Sequence, residues 1–179
     1  NLPDNKARGT AIDARLPQIQ RADLSGQMKF SSRMIFDEAP DATAFHCSTL
    51  TQAANGDLLC LWYGGTYESA DDETLFLARQ HPGSDEWSAP QRLISNPLQP
   101  PGNAIMFLDQ QKTLWMLWAR LESSRPIRRG AGWNRCRLMF RTSSDHGVSW
   151  SADRPLLTEG IWAVPRNNPL TLRSGRILV

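Results

Sequence analysis

The chain has 179 residues, 20 Lys and Arg against 18 Asp and Glu, and a net charge of +2. That balance, with no basic stripe, offers no footprint for nucleic acid. No apolar run approaches the roughly 18 residues that cross a bilayer, so no membrane span is expected.

Residues 1–35 are polar and mixed, with scattered apolar positions at Leu16, Ile19 and Leu24. They read as an N-terminal arm holding a short helix or an edge strand. No secretory h-region opens the sequence. From Met34 onward, strand-like runs of four to seven residues alternate with Gly, Pro, Asn and Asp turns. This is the all-β pattern, expected to fill residues 36–179. Seven tryptophans fit close packing between such strands.

The first runs are Phe45-His46-Cys47-Ser48-Thr49-Leu50 and Leu58-Leu59-Cys60-Leu61-Trp62. An Asn55-Gly56 turn lies between them, followed later by a Tyr63–Asp72 loop with a double glycine and the acids Glu68, Asp71 and Asp72. If the two runs pair through that turn, His46 and the acidic loop share one end. An imidazole, a phenol and several carboxylates on one rim suit general acid–base work on a glycosidic bond. The plainer reading is an exposed acidic loop beside one satisfied histidine.

A second unit begins at Asn103, after Pro100-Pro101-Gly102, in the position expected to correspond to His46. Its strand Leu114-Trp115-Met116-Leu117-Trp118 repeats the run that starts at Leu58, and Arg120 is expected at the rim position of Tyr63. Arg125-Pro126-Ile127-Arg128-Arg129 reads as an exposed loop. A third unit opens at Arg166-Asn167-Asn168-Pro169, and its Ile177 repeats Leu114. Trp87 and Trp150 are separated by the same interval as Leu114 and Ile177, each expected to follow an arginine, Arg79 and Arg141. A period of roughly 60 residues with several strands per unit is the mark of propeller blades. At that period the chain holds about three blades, and propellers typically close with about four to eight. It therefore reads as the front half of a ring, truncated at its C-terminal end. Cys47, Cys60 and Cys136 lack metal-ligand spacing. No metal and no cofactor are expected, and the compartment stays open, a periplasmic or secreted one included.

Ser143-Ser144-Asp145-His146-Gly147-Val148-Ser149-Trp150 reads S-x-D-x-G-x-S-W. Asp145 can accept hydrogen bonds from the turn's own N–H groups, and Gly147 supplies positive φ. The pattern resembles the Asp-box, a turn device usually remote from chemistry. His81 and His146, in turns opposite the rim, are expected to be solvated.

Taken with FHCSTL, NGDLLCLWYGGTYES, GNAIMF, LWMLW and RNNPL, these blocks resemble the BNR-repeat sialidase-like family from about Phe45 to Val179. The resemblance implies a sialidase-type β-propeller, six-bladed in full, with its site at the ring centre. Sialidases use an arginine triad, an Asp acid/base and a Tyr–Glu pair. Where the first arginine's R-I-P motif would stand, this sequence has His46-Cys47-Ser48. Glu68, Asp71 and Asp72 stand where the acid/base would. The remaining members would lie in further blades, which are expected partners of this segment. The implied activity is exo-hydrolysis of a terminal acidic, sialic acid-like sugar from glycoconjugates. Two alternatives stay open: a propeller lyase for uronic-acid polysaccharide, and a sugar-binding propeller without catalysis. The catalytic candidates are His46, Glu68, Asp71 and Asp72. Candidates for binding the acidic carbohydrate are Tyr63, Asn103, Arg120, Arg166 and Asn168.

Overall fold

The computed structural model describes residues 32–36, 42–123, 127–129, 131–156 and 164–178. The expected arm, residues 1–35, lies outside the described residues except for its last four. Met34–Val179 forms one compact unit. No helix occurs among the described residues.

Ten strands follow one another: β1 (Ala44–Gln52), β2 (Leu58–Gly65), β3 (Thr74–Gln80), β4 (Gln91–Ser95), β5 (Pro101–Leu108), β6 (Leu114–Leu121), β7 (Cys136–Ser143), β8 (Arg154–Pro155), β9 (Leu170–Thr171) and β10 (Ile177–Leu178). β1 to β4 make one antiparallel sheet in chain order, β5 to β8 a second, and β9 with β10 a hairpin. Up-and-down order needs only short turns, which the Gly, Asn and Asp clusters supply.

The alternation of side chains along each strand explains the core. Leu59, Leu61 and Tyr63 of β2, with Leu75 and Leu77 of β3, face Ala104, Met106, Leu114, Met116 and Trp118 of the second sheet. The opposite face of β2 turns Cys60 and Trp62 toward Ile35 and Phe36. The first sheet is therefore covered on both faces, as stacked blades require. Ile127, expected in an exposed loop, is 8% exposed and packs against Ala119, Leu121 and Cys136.

The same hairpin turn closes three units. The N–H groups of Ala53, Asp109 and Leu172 donate to the carbonyls of Asp57, Thr113 and Arg176. Gly56, Lys112 and Gly175 take the left-handed position in the three turns. Counting back six positions from each closing N–H reaches Cys47, Asn103 and Arg166. The first two lie on matching bulges: pairing skips between His46 and Thr49 in β1, and between Gly102 and Ile105 in β5. Both also have left-handed backbone, φ 48° at Cys47 and 42° at Asn103. Asn103 thus corresponds to Cys47, not to His46, and Gly102 takes the place of His46. By the same register Arg120 corresponds to Gly64 rather than to Tyr63. Arg79 pairs with Ser88 as Thr142 pairs with Ser151, so Thr142 and not Arg141 is its counterpart.

The turn end is tied by carboxylates. Asp145 accepts the Ser149 N–H at 2.9 Å and the hydroxyls of Ser143 and Ser149, while buried Ser143 accepts the Gly147 N–H. These bonds hold the Asp145 carboxyl well below the usual carboxylate range. Asp57, in the first sheet, is 3% exposed. It meets Arg79 at 2.5 Å and the His81 Nδ1 at 2.9 Å. Arg79 also donates to the His146 carbonyl at 2.9 Å and so joins the two sheets. His81 remains largely in solvent, as expected, while bonding Asp57.

Candidate functional site

At the other end of the same strands, the openings of three units surround a cleft of about 500 Å³. Cys47, Ser48 and Thr49 line it from β1, Asn103 and Ala104 from β5, and Arg166, Asn167 and Asn168 from the segment before β9. Repetition produces this convergence: equivalent positions of stacked units face a common axis. Arg166 is exposed and is the one charged residue on the lining among the described residues. Asn168 accepts the Thr49 hydroxyl at 3.0 Å, which ties the third unit to the first. Asn103 Oδ1 is buried without a protein hydrogen bond.

His46 and Tyr63 are directly paired across β1 and β2, which brings His46 and the acidic loop to one end. Their rings stack at 5.2 Å, and the buried His46 Nε2 has no protein hydrogen bond. Tyr63 is 1% exposed. The Cys47 thiol points to its hydroxyl, with 4.0 Å between sulfur and oxygen. Burial above all, then its neighbours Cys47, Glu68 and Glu73, push the Tyr63 phenol up, so it stays protonated at neutral pH. A contact chain thus runs from His46 through Tyr63 to Cys47 at the cleft.

The acids fall elsewhere. Glu68, Asp71 and Asp72 do not line the cleft. Asp72 closes its own loop, accepting both the N–H and the hydroxyl of Thr66. A Cβ on Gly65 would lie 2.8 Å from that carboxylate, so Gly65 makes room for the clamp. Asp71 is exposed and Glu68 half-buried in the same loop. The buried carboxylate there is Glu73, which accepts the Ser69 N–H at 3.2 Å. Ser69 in turn donates to the Ala131 carbonyl at 2.6 Å and anchors the loop to the second sheet. Arg120 is also remote from the lining. Its guanidinium donates to Glu122, which Arg137 grips from the other side. The Arg137 hydrogen bonds first, then Arg120, hold Glu122 below its ordinary range against the opposing effect of burial.

Of the nine candidates, Asn103, Arg166 and Asn168 line the cleft, and His46 and Tyr63 stand behind it. Amide and guanidinium side chains are therefore on the cleft, while the expected acids belong to a structured loop. Cys47, Ser48, Thr49 and Asn167 were not among the candidates. The Leu58-to-Leu114 and Leu114-to-Ile177 offsets, applied residue by residue, place Cys47 with Asn103 and Arg166.

Among solved structures, this fold is similar to a Hadza microbial sialidase, Hz136, at 13% identity and a TM-score of 0.52. The similarity covers 65% of this chain and 26% of the sialidase. A Dyadobacter fermentans protein of unknown function aligns with a TM-score of 0.58 and 17% identity, over 74% of this chain and 45% of its own. The chain thus spans less than half the length of either protein. No curated protein matches the sequence. The likeness establishes the expected sialidase-type β-propeller fold, with the two sheets as blades and the hairpin opening a third. Residues 56–179 match the BNR repeat-like domain, a span that runs from β2 through the β9–β10 turn. This chain belongs to the BNR repeat-like, sialidase-like family.

Proposed function

We propose that the chain supplies the sugar-binding face of a carbohydrate-active propeller of sialidase type. The reaction is exo-hydrolysis of a terminal acidic sugar from a glycoconjugate. One observation carries this reading: the axial cleft offers a single exposed cation, Arg166, among neutral hydrogen-bonding side chains. A guanidinium is a planar fork that matches a carboxylate. Asn103, Asn168 and Ser48 surround it with the amides and hydroxyl that sugar recognition uses. His46, stacked on Tyr63 behind this lining, is the acid–base candidate on this chain.

A second reading, a sugar-binding propeller without hydrolysis, draws support from Asp72. Its carboxylate is committed to Thr66, and none of the loop acids lines the cleft. The test uses the full-length protein with a fluorogenic sialoside, in parallel with absorbance of unsaturated products on uronate polymers. Release of fluorophore supports the hydrolase. Unsaturated product alone points to the lyase. Saturable binding of the sialoside with neither product supports the binder.

A further inference from the structure

We infer that Asn103 determines specificity in the cleft: its Oδ1 accepts a hydrogen bond from a hydroxyl or amide N–H of the bound sugar, beside the anion at Arg166. This rests on the acidic-sugar reading for Arg166 but makes a separate claim about the ligand's donor group.

Three observations on β5 converge on it. Asn103 Oδ1 is buried with no protein hydrogen bond. A buried acceptor left unpaired costs about 1–3 kcal/mol, so such atoms in a folded protein call for a partner. The residue also sits on a bulge inside a strand with φ 42°. Left-handed backbone in a non-glycine residue is held at a cost and clusters where ligands are gripped, and bulges re-aim side chains. Finally, Asn103 lines the same cleft as Arg166 and occupies the same position of its unit.

The neighbouring groups narrow the chemistry. The Asn168 oxygen is already taken by the Thr49 hydroxyl. Arg166 can only donate. Of the three amides on the lining, Asn103, Asn167 and Asn168, that of Asn103 is the one whose oxygen is buried without a protein hydrogen bond among the described residues. Together the two residues ask for a molecule carrying an anion and, on the side facing the second blade, a hydroxyl or acylamino group. A hydroxylated sugar acid has both.

Isothermal titration of the full-length protein tests this. The probes are a sialic acid, a methyl uronate glycoside and a neutral methyl glycoside, each with its monodeoxy or de-N-acylated counterparts. Asn103→Gly suits the left-handed backbone and removes only the side chain. It should weaken the parent acidic sugars about tenfold. It should leave unchanged the one counterpart that lacks the paired donor, because the two deletions remove the same bond. Asn103→Asp keeps an acceptor oxygen and should preserve the preference for the parent over that counterpart. Equal loss across every counterpart, or no loss, overturns the inference. Arg166→Gln reports separately on the acidic reading, since it should weaken the acids and spare the neutral glycoside. Equal effects of Arg166→Gln on both sink the acidic reading, while the donor-dependent loss at Asn103 still stands. Failure of every probe to bind the wild-type protein overturns both.

Discussion

The two ends of the same strands solve opposite problems. At the turn end, Asp57 and Asp145 receive hydrogen bonds from several neighbours, and Arg79 carries the connection from one blade to the next. Left-handed residues there lie in hairpins, where Gly56, Lys112 and Gly175 make the reversal possible. At the cleft end, Asn103 Oδ1 and His46 Nε2 are buried without protein partners, and left-handed backbone occurs inside strands, at Cys47 and Asn103. Bonded carboxylates close to a turn lower the energy of the folded chain. Unbonded groups beside a cleft raise it and become favourable when a ligand arrives. Charge does not single out the cleft, since the most acidic loop of the chain serves mainly its own closure.

If the turn end is the stabilising one, its disruption should be seen in unfolding and not in ligand binding. The largest effect is expected from Arg79→Ala, which leaves the buried Asp57 carboxylate without its guanidinium. Breaking one side of a buried pair should cost about 3 kcal/mol. Urea denaturation measures it, and sugar affinity of the folded protein should be unchanged. A variant as stable as the wild type would remove the structural role of the Asp57–Arg79 pair.

The acid limb of stability sharpens the same point. Burial alone would raise the Asp57 carboxyl, but hydrogen bonds from Asn55, His81 and Arg79, with the Arg79 charge, bring it from 3.8 to about 2. The unfolded chain therefore binds a proton first as pH falls. The contribution of Asp57 is present above about pH 4 and is lost as pH drops from 3.8 toward 2. Unfolding curves across that window should flatten in Asp57→Asn. An unchanged slope would show that the carboxylate is not so held.

A smaller effect is expected at Asp145. Asp145→Ala strands the N–H and hydroxyl of exposed Ser149 and the hydroxyl of buried Ser143, so the melting temperature should fall by a few degrees with turnover intact. Loss of turnover at a constant melting temperature would instead put Asp145 in the chemistry.

The smallest change is expected at the cleft end. Cys47→Gly relaxes left-handed backbone but loosens the unfolded chain, two effects that offset each other. Stability should stay within about 1 kcal/mol of wild type. A loss well beyond that would mean that the thiol's contact with Tyr63, not ligand, accounts for the backbone geometry at Cys47.

Much of the fold was legible in the residues. Alternating apolar positions such as Leu59 and Leu61, set between Asn, Asp and Gly turns, specify antiparallel strands because side chains alternate across a sheet. The Leu58–Leu114 spacing identified the repeat, and Asp145 announced its own turn, since both are read directly along the chain. The convergence of Arg166 and Asn103 on one cleft was legible too, because repeated units bring equivalent residues together. Tertiary structure alone decided the rest. A bulge in β1 and β5 shifts pairing by one residue, and one residue moves a side chain to the other face. The matching bulges turn Cys47 and Asn103 to the lining, a pairing that the Leu58–Leu114 offset already implies. Composition could not distinguish the carboxylates of the Tyr63–Asp72 loop, because each is equally able to accept a hydrogen bond. Which one closes the loop depends on where the chain returns, and it returns with Asp72 against the Thr66 N–H.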